Sequence, residues 1–180
     1  VMVGPTRRPN RLPKFDYSRP GYYFVTACTY QKQPLFWLPR RAGLGPAPTD
    51  WEERLNLLGS IALQTWLDLP NHNSGVELDK FVVMPNHIHG IIRFLPACVG
   101  AGPRPARPPL PEVVRQFKSF SARRINQLRK MPGAPVWQRS FHDHVIRNEA
   151  DYLRIWQYID TNPIKWEQDR YYTPCPDQIL

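Results

Sequence analysis

Hydrophobic positions along the chain follow two rhythms, and their order gives the expected elements. Tyr22 to Tyr30 is a run of aromatic and β-branched residues bounded by Gly21 and by Gln31-Lys32-Gln33-Pro34, the pattern of a strand. From Asp50 onward Leu55, Leu58, Ile61, Ala62, Thr65, Trp66 and Leu69 recur at helical spacing, with Pro70 as the expected stop. Val76 to Met84 returns to strand character. After Pro85 and Asn86 a third strand is expected to run to about Phe94, and so short a connection implies an antiparallel pair. Glu112 to Lys130 reads as a basic helix with Val113, Val114, Phe117, Phe120, Ile125 and Leu128 as its apolar stripe. Val136 to Arg147 alternates irregularly and is assigned to a fourth strand. Asn148 then caps a helix that begins at Glu149, with Asp151 as its capping-box partner, and Pro163 closes or kinks it.

Strand, helix, strand, strand, helix, strand and one further helix is the order of a ferredoxin-like split βαβ unit. The expected class is therefore α+β, a four-stranded antiparallel sheet with helices on one face and an appended C-terminal helix. Between these elements, residues Arg40 to Thr49 form a loop. Leu95 to Pro111 is too rich in proline for helix or central strand and reads as a long exposed loop, whose Arg104 and Arg107 are spacer or nucleic-acid contacts. Residues 1–20, rich in arginine and proline, read as a basic N-terminal arm that is either solvated or grips phosphate. Residues 21–180 are expected to form a single domain, since a chain of 180 residues suits one core better than two.

Charge narrows the class of partner. Lysine and arginine number 24 against 15 acidic residues, a formal charge of +9, and the excess is spread along the chain. Such a balance favours a polyanion, nucleic acid first. No membrane partner is expected, because no apolar run approaches the ~20 residues needed to span a bilayer and no basic amphipathic helix stands out. Cys28, Cys98 and Cys175 are far apart and form neither a zinc pattern nor a disulfide framework. Together with an N-terminus that lacks a secretory signature, they lead to the expectation of a cytoplasmic protein.

Candidate chemistry sits in two places. His87 and His89 flank Ile88, and residues two apart in a strand share a face, so both imidazoles project together and can hold one divalent metal. A pair at this spacing also occurs as a hydrogen-bonded or half-exposed pair. In the last helix Tyr152, Ile155, Trp156 and Ile159 form one apolar arc, and Tyr158 falls off it onto a polar strip between Arg154 and Asn162. Tyr158 is then either offered laterally to a site on the sheet or is an aromatic at the edge of the core. A phenol needs a cation to act as a nucleophile and is a tolerable leaving group, which suits reversible phosphodiester transfer. Asn162, one turn on, is either a third ligand oxygen or the cap of a helix starting at Pro163. His142 and His144 around Asp143 form a second pair that competes for the metal, binds phosphate or structures a turn.

Four ordered blocks carry a resemblance. They are Tyr17-Ser18-Arg19-Pro20-Gly21-Tyr22-Tyr23-Phe24-Val25-Thr26, the stretch Phe81 to Gly90, Val136-Trp137-Gln138-Arg139 with Ile146-Arg147-Asn148, and Tyr158-Ile159-Asp160-Thr161-Asn162-Pro163. Across about Arg11 to Trp166 these resemble the REP-associated tyrosine transposases, relatives of the single-tyrosine insertion-sequence transposases within the histidine-hydrophobe-histidine endonucleases. The resemblance implies a ferredoxin-like domain that binds single-stranded DNA hairpins from repetitive extragenic palindromes and nicks beside them. It implies that His87 and His89 hold Mg²⁺ or Mn²⁺, that Asn162 completes the site, and that Tyr158 attacks the phosphate to leave a 5′-phosphotyrosyl link and a free 3′-hydroxyl. It also implies that Arg7, Arg8, Arg11 and Lys14 meet the foot of the hairpin. Arg115, Lys118, Arg123, Arg139 and Arg154 are the other basic residues expected to contact DNA, in a monomer or a homodimer. Asp160 stands where the pattern leads one to expect a hydrophobe or a neutral polar residue.

A four-stranded sheet with exposed aromatics and basic flanks also suits a non-catalytic module that binds single-stranded nucleic acid. A metal-dependent phosphodiesterase using water would leave Tyr158 dispensable. Formation of a tyrosine-DNA adduct separates the three.

Overall fold

Alternation along four strands gives one sheet two unlike faces. The computed structural model describes residues 12, 14–39, 50–96 and 108–173. Arg7, Arg8, Arg11, Arg104, Arg107, Cys98, Cys175 and the 40–49 loop lie outside the described residues. The strands are β1 (Gly21–Cys28), β2 (Val76–Met84), β3 (His87–Phe94) and β4 (His142–Ile146). They lie in the order β2-β3-β1-β4 with every pairing antiparallel, the split βαβ arrangement that the element order predicts. The helices are α1 (Leu57–Leu67), α2 (Leu69–His72), α3 (Leu110–Arg129) and α4 (Glu149–Thr161).

The helices α1 and α3 cover one face. There Tyr23, Val25 and Ala27 of β1, Val83 of β2 and Ile88 and Ile92 of β3 pack with Trp66 of α1 and with Val113, Val114, Phe117 and Ile125 of α3. Gly90 makes this closure possible: a Cβ there would lie 2.3 Å from Cζ2 of Trp66, so only glycine lets the indole rest against β3. The opposite face presents Phe24, Val82, Met84 and Ile91 to Ile155 and Ile159 of α4. Phe15 and Tyr17, the aromatics that precede β1, pack against Tyr23, and the Tyr17 carbonyl accepts from Leu110 N–H at 3.0 Å.

Several local expectations are corrected by the structure. The first strand stops at Cys28 rather than Tyr30, because Gln31 and Lys32 turn the chain with φ of 53° and 55°. Pro70 does not end the first helix; α1 ends at Leu67, and Pro70 opens α2, where its missing N–H leaves no helical bond unmade. On α3, Phe120 and Leu128 are exposed, and Ser121 takes the buried position, its Oγ accepting from Trp137 Nε1 at 2.9 Å. The fourth strand begins only at His142, while Val136 and Trp137 are buried in the core ahead of it. Asn148 caps α4 as expected, its side chain accepting from Asp151 N–H at 2.8 Å. The Asp151 carboxylate does not close a capping box; it pairs with His144 Nε2 at 2.7 Å and accepts from Arg154 Nη2 at 2.6 Å. Asp160 is accounted for by Lys80 of β2, whose Nζ lies 2.5 Å from its carboxylate.

Candidate active site

His87 opens β3 immediately after the Pro85-Asn86 turn, and His89 follows on the same face. Their ring centroids are 4.3 Å apart, and both residues are fully buried. The strand is internal to the sheet, so His87 is flanked by Cys28 and Met84 and His89 by Thr26 and Val82. Burial pushes the His87 ring down to about 3, against the pull of the Asp169 carboxylate. Burial and the neighbouring His87 hold His89 well below the usual histidine range. Both rings are therefore neutral at physiological pH, the form in which imidazole binds metal.

Tyr158 reaches this pair from α4. Its hydroxyl lies 3.1 Å from His89 Nε2 and donates to Asp169 Oδ2 at 3.1 Å, while its ring meets Phe24 edge-on. The residue stays 36 % exposed. Burial, and then the Asp169 carboxylate, raise its hydroxyl above the ordinary phenol range. Tyr152, the other tyrosine of the helix, donates instead to Asp79 Oδ2 at 2.9 Å, and burial together with that carboxylate pushes it up to about 12. Asn162 is the C-cap of α4, and no helix starts at Pro163 among the described residues. The Asn162 Nδ2 donates to Asp169 Oδ2 at 2.6 Å, and its buried Oδ1 has no hydrogen-bond partner.

The segment after α4 folds back over the histidines. Trp166 and Tyr171 lie with ring centroids 5.9 Å and 4.8 Å from that of His87, and Tyr171 is 5.8 Å from His89. Asp169, between them, brings a carboxylate oxygen to the imidazoles. One ligand atom each from His87, His89 and Asp169 lies within 4.8 Å of the other two. The fit to a divalent cation rests on this donor set of two neutral imidazoles and a carboxylate, and on His87 Nε2, which is buried without a hydrogen-bond partner. Asp169 has no sequence motif around it; only the fold-back after Pro163 brings it to the histidines.

The structure does not gather the expected basic residues around this site. Arg115, Lys118 and Arg139 line a groove of about 470 Å³ beside Trp137 and Phe141, on the α3 side of the sheet. Arg115 donates to Glu112, and Lys118 Nζ donates to the carbonyls of Gln138, Arg139 and Ser140. Arg123 and Arg139 are exposed, and Arg154 pairs with Asp151. Lys14 lies ahead of Phe15 with φ of 61°. His142 and His144 share the sheet face of His87 and His89 but are exposed.

A scan against protein-family models finds no match. An uncharacterized protein of Haemophilus influenzae is 35% identical to the chain over 181 residues, spanning 92% of this chain and 93% of that protein. The chain belongs to one family with it. Among solved structures, a REP-associated tyrosine transposase bound to a REP hairpin superposes with a TM-score of 0.51 at 20% identity, covering 89% of this chain and 74% of the other. A Deinococcus radiodurans R1 protein described as a candidate transposase gives a TM-score of 0.48 at 20% identity, covering 84% of this chain and 95% of that one. The chain thus has the fold of the REP-associated tyrosine transposase, and its family reaches into Haemophilus influenzae.

Proposed function

We propose that the protein is a divalent-metal-dependent endonuclease and strand transferase of single-stranded DNA, acting beside palindromic hairpins through a 5′-phosphotyrosyl intermediate. The observation that carries this reading is the meeting of the Tyr158 hydroxyl with His89 Nε2 at 3.1 Å, beside the His87, His89 and Asp169 donor set. The hairpin as substrate class is supported by the shared fold with a transposase bound to one.

Each side chain has a definite task in this reading. His87, His89 and Asp169 hold the cation, with the free Oδ1 of Asn162 as a further donor. When bound, Mg²⁺ or Mn²⁺ supplies charge that polarises a non-bridging phosphate oxygen and stabilises the pentavalent centre. The Tyr158 oxygen forms the new bond to phosphorus, the bond to the 3′ oxygen breaks, and the strand leaves with a free 3′-hydroxyl. The phenolic proton passes to the Asp169 carboxylate, which already accepts it in a hydrogen bond, and water supplies the proton that makes the leaving 3′ oxygen a hydroxyl. Rejoining reverses these steps, with tyrosine as the leaving group. Trp166 packs against His87, and Tyr171 packs against both imidazoles, from the same segment that delivers Asp169.

The test is incubation with a labelled palindromic single strand and Mn²⁺, followed by a denaturing gel. A denaturant-resistant adduct that disappears in Tyr158→Phe, while hairpin binding persists, is the expected result. Binding that is indifferent to metal and yields no adduct would assign the chain to the non-catalytic binders, and cleavage retained in Tyr158→Phe would make water the nucleophile.

A further inference from the structure

Asn86 is fully buried in the turn between β2 and β3, and its backbone is fixed there: its carbonyl accepts from Thr29 N–H at 2.8 Å and from Thr29 Oγ1 at 3.0 Å. Its side-chain Nδ2 faces the Lys32 carbonyl at 3.1 Å, the Tyr171 carbonyl at 2.8 Å and Thr173 Oγ1 at 3.1 Å. Carbonyl oxygens only accept, so the amide cannot be turned over without setting Oδ1 against two of them. Oδ1 is thereby directed at His87 Nδ1, 2.7 Å away. An amide oxygen also only accepts, so His87 Nδ1 must carry a hydrogen. Nε2 is buried with no hydrogen-bond partner, so a second hydrogen there would be left unsatisfied and the atom keeps a bare lone pair.

The second histidine is held differently. His89 Nδ1 meets Thr26 Oγ1 at 2.8 Å and its Nε2 meets the Tyr158 hydroxyl at 3.1 Å. Hydroxyls both donate and accept, so neither neighbour imposes a tautomer on that ring. Of these two rings, His87 is the one whose proton is assigned by its surroundings.

We propose that Asn86 is a positioning residue: it locks His87 in the Nδ1–H tautomer and so keeps Nε2 open to a divalent cation. Second-sphere acceptors of this kind fix ring orientation and raise ligand basicity. The inference rests on the proposed function only for the use to which the cation is put. Because the same amide also grips the Tyr171 carbonyl, Asn86 ties the cover over the site to the ligand beneath it.

The test uses the full chain, uniformly ¹⁵N-labelled and metal-free at neutral pH, with two-bond ¹H–¹⁵N correlation spectra of the imidazoles. His87 is expected to show a protonated Nδ1 and an unprotonated Nε2. In Asn86→Ala that signature gives way to a mixture, and Mn²⁺ affinity, read by electron paramagnetic resonance, falls about ten- to hundredfold. A wild-type His87 protonated at Nε2, or an unchanged His87 signature in Asn86→Ala, overturns the proposal. Should the alanine variant fail to fold, the wild-type spectrum alone decides. The Nδ1–H tautomer and Mn²⁺ binding without any DNA adduct would sink the proposed function and uphold the role of Asn86.

Discussion

The chain carries two histidine pairs of identical spacing on one face of one sheet, and they meet different fates. Thr26 of β1 stands between them, paired with His89 on one side and with His142 on the other. His87 and His89 lie on an internal strand beneath α4 and the 166–171 segment, and both are fully buried. His142 and His144 lie on β4 at the edge of the sheet and are exposed, with His144 engaged by Asp151 of α4. Spacing alone aligns two imidazoles. Position in the sheet and the cover above it decide whether two aligned imidazoles are fully buried together, as a candidate ligand pair, or left at the surface.

The largest effects should separate the two pairs in catalysis. His87→Ala, His89→Ala and Tyr158→Phe are each expected to reduce adduct formation on a palindromic hairpin by at least about a thousandfold, since each removes a group on which the proposed transfer depends. His144→Ala should stay within a few-fold of wild type in the same gel assay; an equal loss there would erase the distinction. Asp169→Ala should weaken Mn²⁺ binding by at least about tenfold, measured by paramagnetic resonance. The same substitution should lower the pH at which Tyr158 ionises, followed by ultraviolet titration, because it removes the carboxylate that holds the phenol protonated.

Acid stability gives a smaller contrast with a definite sign. The folded-state values of His87 and His89 lie below their ordinary value of 6.5, so the unfolded chain binds more protons in acid. Their contribution is complete above about 6.5 and is lost as pH falls toward about 3 for His87. In that window His87 adds up to about a tenfold rise in the unfolding constant for each unit by which pH falls, and His89 acts in the same direction, both readable by urea denaturation. Replacing both residues by alanine should flatten that slope, and His144→Ala should leave it in place. The least effect belongs to His144→Ala at neutral pH, where loss of an exposed pair with Asp151 should cost about 0.5 kcal/mol or less.

Much of this was legible wherever local pattern and tertiary role agree. The strand Val76–Met84 and the two-residue turn before His87 follow from alternation and from Pro85-Asn86. The Asn148 cap follows from one polar residue ahead of an apolar arc. Displacement of Tyr158 from that arc left two readings open, and the structure puts its hydroxyl beside His89. Long-range choices were not legible. Ser121 displaces Phe120 from the buried stripe because Trp137, far along the chain, needs an acceptor there. Asp169 reaches the histidines only because the chain reverses after Asn162, and nothing in its neighbours announces a ligand. Asn86 read as part of a turn, since the three groups that orient its amide come from residues 32, 171 and 173.

The Lys118 ammonium, clamped by the carbonyls of Gln138, Arg139 and Ser140, is a staple for the approach to β4. A cation so engaged displaces few salt ions when a polyanion docks, and the salt dependence of binding should be shallower than a tally of lysine and arginine suggests. Lost affinity after mutation of Lys118 would then report a loosened backbone rather than a severed phosphate contact.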